Sequence, residues 1–229
     1  MPSKRRSRAT EPRAPRKQAA SARKPLSRVR IVQAALELVH EDGLAQLSTR
    51  RLGQRLGCEA MSIYHHFPSK AHLLDALVDH AISSIEAPPE HLSPIERLRF
   101  TCYAYRAMAH RFPALYPLVA IHRLNTPTGV RYIDSVIATI RGVEPDPEKA
   151  ARQFRAVGYY LAGASLDETS GYAKGPSAAD PVSDAYVAEH CPALMAAAPY
   201  FKREHWDATF EFGLQAMLDS FLYTAEPRR

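Results

Sequence analysis

Apolar residues recur every three or four positions along most of the chain, and short polar stretches rich in proline, glycine or serine interrupt them. That period is the mark of amphipathic helices. Within residues 26–43, LSRVRIVQAALELVHEDG, the residues Val32, Ala35, Leu36 and Val39 share one face. Ser27 can cap the start, and Gly43 can end the helix in a left-handed conformation. In TRRLGQRLG, residues 49–57, Leu52 and Leu56 share a face, with Ser48 as the N-cap and Gly57 as the stop. CEAMSIYHHF, residues 58–67, predicts a third helix with Ile63 and Phe67 turned inward. Pro68 closes it, because the residue before a proline avoids helical dihedrals. Ser69 caps a fourth helix predicted over 70–87, whose buried stripe is Leu73, Leu74, Leu77, Ala81 and Ile85.

The helical period continues through residues 93–112, 113–124, 126–142, 147–172 and 203–225. GPSAADPVSD, residues 175–184, reads as a loop. No segment alternates apolar and polar residues between turns, so the expected fold is all-α with no sheet. Residues 49–67 form two short helices joined at Gly57, which is a helix-turn-helix. The expected division is an arm over 1–26, a three-helix helix-turn-helix domain over 27–72 and a larger helical domain over 73–229.

Composition narrows the class. A hydrophobic fraction of 46% is ordinary for a chain that buries a core. No run approaches the ~18 apolar residues of a membrane span, and the N-terminus has no apolar stretch after its charges, unlike a secretory signal. The expectation is a cytoplasmic protein with no membrane partner. Cys58, Cys102 and Cys191 have no paired spacing, which argues against a zinc site or a disulfide framework. The chain has no GxSxG, P-loop, HExxH or CxxC motif, so no enzyme is expected. The net charge of +6 is unevenly spread: residues 1–30 hold eleven Lys or Arg against one acid, leaving −4 for residues 31–229. A basic arm on a mildly acidic body points to a polyanion met at the N-terminal end. A solubilising tail is the alternative.

The helix-turn-helix carries the candidate chemistry. Ser62, Tyr64, His65 and His66 lie outward of the inward pair Ile63 and Phe67. Their hydroxyls and imidazoles can bond phosphates or base edges in a major groove. Lys70 stands at the first turn of the next helix, where free backbone N–H groups also favour a phosphate. Thr49 and Arg50 open the first helix of the pair and can act from the other side.

Residues 28–86 resemble the DNA-binding domain of the tetracycline repressor (TetR) family. The matching features are AALELVHEDGLAQLSTRRLGQRLG, then Tyr64 and His66 in SIYHHF, then Lys70 and LLDAL, in order and without gaps. The resemblance implies double-stranded DNA as partner and phosphate contacts from Thr49, Ser62, Tyr64, His66 and Lys70. It makes Arg50 the main base reader, since a guanidinium can grip guanine with two bonds. Ala60, Met61 and His65 occupy the other base-facing positions.

The resemblance extends into the body. It implies a homodimer whose last long helices form the interface, here through Phe154, Val157, Leu161, Phe210, Met217 and Phe221. It also implies a small-molecule effector; Tyr103, Met108, His110, Tyr116, His122, Tyr132 and Tyr160, the polar or adaptable residues among the apolar helices, suit its pocket, and Asp167 is added by the resemblance. His122, in IHRLNTP, and Asp167 fall where tetracycline repressors hold a metal-linked ligand, so a divalent magnesium is a secondary reading. Most other positions that grip tetracycline do not match, and tetracycline is not the expected ligand. The expected function is a sequence-specific transcriptional regulator, a repressor released from a palindromic operator by its inducer. The alternative is a non-specific nucleoid-associated protein acting through the arm.

Overall fold

The computed structural model describes residues 25–171 and 179–225. Residues 1–24 of the expected arm and residues 175–178 of the expected loop lie outside the described residues. The described residues are helical and contain no strand.

The head begins with α1 (Arg28–Asp42), where the Ser27 hydroxyl accepts the Arg30 N–H at 3.3 Å and Gly43 turns away with φ 82°. A 3-10 turn (Leu44–Gln46) leads to α2 (Thr49–Leu56), capped by Ser48. Then follow α3 (Ala60–Tyr64) and α4 (Lys70–Ser83), the latter capped by Ser69. Ile31, Leu47, Leu52, Ile63, Phe67, Leu73 and Leu77 are fully buried together; of the stripe expected in α1, Ala35 and Val39 are buried, while Val32 and Leu36 are half-buried at its edge.

Two boundaries differ from the sequence expectation. The third helix spans five residues, not 58–67, and His65 and His66 lie in the turn after it. The N–H groups of His66 and Phe67 both reach the Ile63 carbonyl, a tightened turn that swings Phe67 into the core before Pro68. The fourth helix stops at Ser83, not at residue 87. The Ser84 hydroxyl folds back onto the Ala81 carbonyl at 2.7 Å, a local bond that competes with further helix.

The body holds α5 (Pro94–Arg111), α6 (Tyr116–Ile121), α7 (Pro127–Arg141) and α8 (Pro147–Ser170). Short α9 (Asp184–His190) and α10 (Pro192–Ala197) follow, then α11 (Trp206–Ala225). Leu98, Cys102, Val136, Ile140, Val157, Leu161, Phe210, Leu214 and Leu218 form its core. The head's core is continuous with Met108, Ala109, Leu115, Tyr116 and Val119 of the body, so α4 packs in both. The periodic pattern missed α9 and α10, and neither buries any residue.

One charged cluster ties α5, α8 and α11. The Arg106 guanidinium donates to both Glu168 oxygens at 2.7 and 2.9 Å and to Asp207 at 2.8 Å, and it lies over the Phe210 ring at 4.6 Å. The Arg106 and Glu168 side chains are only 9% and 5% exposed. Burial alone would disfavour the guanidinium charge; the two carboxylates outweigh it and hold its pKa above the ordinary value.

Candidate nucleic-acid interface and ligand cavity

The two-helix unit is fixed by backbone contact. Gly57 adopts φ 67°, ψ 36°, a left-handed turn that suits glycine. The Cys58 N–H then reaches back to the Gly53 carbonyl at 2.9 Å. Gly53 is buried, and a Cβ there would sit 2.7 Å from the Cys58 carbonyl oxygen. No real side chain tolerates that distance, so Gly53 sets how closely α2 meets the turn. Sequence reasoning passed over it; the available signal was a glycine inside a helical pattern, where it costs about 1 kcal/mol relative to alanine.

On that base the candidate residues divide by surroundings. Arg50, Met61, Tyr64, His65 and Lys70 are exposed, while Thr49, Ala60, Ser62 and His66 are half-buried. The Thr49 hydroxyl donates to the Tyr64 hydroxyl at 3.4 Å, joining the start of α2 to the end of α3. Met61, at 63% exposure, offers an apolar surface beside them. The three arginines of TRRLGQR are not equivalent. Arg51 bonds Asp42 at 2.6 Å, and Arg55 pairs with Glu41 and, at 3.7 Å, with Glu37. The Arg55 bond holds the Glu41 carboxyl below its ordinary pKa. Arg50 is exposed and has no ion pair among the described residues.

Arg28 belongs to this site in a different sense. Its guanidinium stacks over the Phe67 ring at 4.2 Å and donates to the His66 carbonyl, fastening the turn after α3 to α1. It was counted with the basic arm, yet it serves the head's own packing.

In the body, a cavity of about 370 Å³ opens among α5, α6, α7 and α8. His122 and Tyr132 line it, as expected from the sequence. The other six candidates do not. Met108 and Tyr116 are core residues, at 2% and 0% exposure. Tyr103 donates to Glu211, and its ring meets the Phe210 edge. His110 bonds Glu168 at 2.7 Å. The Tyr160 hydroxyl donates to the Phe210 carbonyl, its ring filling the space a side chain at Gly213 would need. Asp167 has one carboxylate oxygen buried without a partner, away from the cavity lining. Tyr105, which was not among the candidates, does line the cavity.

The expected interface residues are also redistributed. Phe154, Val157 and Leu161 line the cavity, Phe210 and Phe221 are buried in the chain's own core, and Met217 packs half-buried against it. Phe212 of α11 is 80% exposed, and Tyr159 of α8, at 67%, stands at the exposed edge of the cavity lining.

His122 Nε2 pairs with Asp75 Oδ1 of α4 at 2.9 Å, and Thr126 donates to Asp79 of the same helix. The residues therefore do not fit a magnesium bridging His122 and Asp167: the first is engaged by Asp75, and the second does not line the cavity. Among the described residues, no three His, Cys, Asp or Glu side chains cluster as metal ligands. Burial pushes the Tyr105 and Tyr132 phenols well up and the Cys102 thiol to about 12, so all three are neutral in the cavity wall.

A glycine-locked two-helix reader carried on a helical body with an internal cavity defines a class, the one-component regulators. Residues 31–77 match the family model "Bacterial regulatory proteins, tetR family", and residues 89–222 match "Tetracyclin repressor-like, C-terminal domain". The chain belongs to the TetR family of DNA-binding transcriptional regulators. It is 27% identical over 192 residues to the Escherichia coli tetracycline repressor protein class A from transposon 1721, covering 82% of this chain and 87% of that one. Among solved structures it is similar to a "possible TetR family transcriptional regulator" of Streptomyces coelicolor A3(2), with TM-score 0.72 and 28% identity over 86% of this chain and 100% of the other. It is also similar to the Streptomyces coelicolor TetR family protein ActR in complex with actinorhodin, with TM-score 0.70 and 26% identity over 89% of this chain and 100% of that one.

Proposed function

We propose that the chain acts as a homodimeric repressor that holds a palindromic operator through α2 and α3 and releases it when a small molecule enters the cavity. The observation that carries this reading is the His122–Asp75 pair. His122 lines the cavity, and Asp75 lies on α4, the helix whose first residue is Lys70 at the DNA-facing end. A ligand that moves His122 acts directly on the element that positions the head. It shifts DNA affinity by as much as it prefers one position of α4 over the other.

In this reading Arg50 contacts a base edge, with Ala60, Met61 and His65 facing neighbouring bases. Thr49, Ser62, Tyr64, His66 and Lys70 hold phosphates and set the register. Two heads of a dimer would then occupy successive major grooves about 34 Å apart. The exposed Phe212 and Leu222 of α11 support a second copy on that helix. Actinorhodin bound to the related ActR supports an organic effector. Repression within the cytoplasm follows the pattern of the repressors the chain resembles.

The test is selection of duplexes from a random library at near-physiological salt, followed by titration of the selected site. A two-fold palindrome, lost in Arg50→Ala, is the expected result. Binding without a motif, abolished by rising salt or by deletion of residues 1–24, would replace this reading with a non-specific role for the basic arm.

A further inference from the structure

We propose that the cavity among α5–α8 takes a planar aromatic compound that carries carbonyl-type acceptors and a carboxylate, and that it rejects amine cations. The inference rests on the reading of this cavity as the effector site, and it comes from the chemistry of the wall. The eighteen lining residues include no aspartate, glutamate or lysine. An ammonium group entering would lose its hydration with no carboxylate in the wall to replace it. Asp75, behind His122, is already that histidine's partner.

The wall is instead supplied with donors. The Tyr132 hydroxyl has no hydrogen-bond partner among the described residues. The Tyr105 and Tyr116 hydroxyls lie 3.4 Å apart, and the Tyr116 hydroxyl also reaches the Leu161 carbonyl at 3.5 Å. Tyr132 is half-buried, so a ligand that brings an acceptor into the cavity can take its O–H in place of water. The rings of Tyr105, Tyr132 and Phe154 offer flat apolar surface for an unsaturated ring system. At the exposed side of the lining, Arg155 lies over the Tyr159 ring at 4.8 Å and donates to its hydroxyl at 2.9 Å. A guanidinium held flat in this way presents its remaining N–H groups to a carboxylate. The volume, about 370 Å³, is within the range of pockets that hold compounds of drug size.

Two matched series test this on the full chain by isothermal titration. One is anthraquinone-2-carboxylate, anthraquinone and 2-(aminomethyl)anthraquinone as its hydrochloride; the other is 2-naphthoate with 2-naphthylmethylammonium. In each series the carboxylate is expected to bind at least about tenfold tighter than the ammonium compound. Tyr132→Phe, which keeps the ring, should weaken anthraquinone and its carboxylate by about two- to tenfold. Arg155→Gln should weaken the carboxylate and leave neutral anthraquinone unchanged. Equal or tighter binding of the ammonium compounds overturns the proposal, as does binding indifferent to both substitutions, or no binding in either series. Val157→Trp, which fills the cavity, should abolish binding, and binding that survives it overturns the site. Titration of the selected duplex separates the two readings. The expected ranking without DNA release keeps the ligand class and removes the effector role, whereas DNA release by the ammonium compounds keeps the role and removes the class.

Discussion

In the head, α2 and α3 turn Arg50, Tyr64 and His65 toward solvent, whereas in the body α5 and α7 turn the hydroxyls of Tyr105 and Tyr132 into a cavity. The Arg50 guanidinium in the head and the Tyr132 hydroxyl in the body have no partner among the described residues, but the physical consequences are opposite. Water solvates the exposed groups of the head until DNA replaces it, so they can be carried there at little expense. The donors of the body are partly shielded from water, and the phenols are held neutral by burial. The supports differ as well. The head adds to its apolar core a glycine contact and surface ion pairs, namely Gly53 on Cys58, Arg51 on Asp42 and Arg55 on Glu41. The body is held by an apolar core and the buried Arg106–Glu168 pair. A reader of external charge needs rigid spacing under a wet surface, and a ligand chamber needs walls that stay closed without a ligand.

The largest effect should come from the body's buried pair. Arg106→Ala leaves the Glu168 carboxylate buried without its guanidinium and is expected to cost about 3–5 kcal/mol in urea unfolding. The double variant Arg106→Met, Glu168→Gln should recover much of that loss; no recovery would mean that the arginine's packing, not its charge, holds α5 to α8 and α11. Next is the head's contact. Gly53→Ala gains helix propensity, but its Cβ meets a backbone oxygen, so a net loss of about 1–3 kcal/mol is expected. A more stable variant with full DNA affinity would show that α2 and its turn can separate freely.

Arg50→Ala sharpens the comparison from the other side. It should leave urea unfolding unchanged and remove about 1–3 kcal/mol of discrimination at one base pair, read by competition between matched and mismatched duplexes. A loss of stability in this variant would mean that Arg50 is a packing residue. The smallest effect concerns acid. Hydrogen bonds from Arg55 to Glu41, from Ser93 to Glu96 and from Tyr103 to Glu211 hold those carboxyls below the ordinary 4.5. A depressed folded pKa contributes stability above the unfolded value and loses it as pH falls through the folded one. Stability should therefore drop slightly as pH falls below about 4.5, and Arg55→Ala should reduce that slope when melting temperature is followed against pH. An unchanged slope would assign the loss to other carboxylates.

The helices of the head could be read from local rules. Ser27, Ser48 and Ser69 each accept a backbone N–H at the expected helix start, and Gly43 and Gly57 both take positive φ. The inward set of Leu52, Ile63 and Phe67 is buried as its spacing required. Capping and turn formation depend on groups a few residues apart, which is why the chain order alone determined them, along with the all-α class and the outward position of Arg50 and Tyr64. What only the tertiary structure decided was the direction of each face in the body. Phe154, Val157 and Leu161 have the right spacing for an interface, for a core or for a cavity wall, and they line the cavity. Tyr103 and Tyr160 were equally plausible ligand contacts until Glu211 and the Phe210 backbone were found beside them. His122 could have met Asp167 but is held by Asp75, 47 residues away in the chain. An apolar stripe records that a helix has a buried side; which neighbour covers that side depends on how distant helices pack, and no local pattern encodes that.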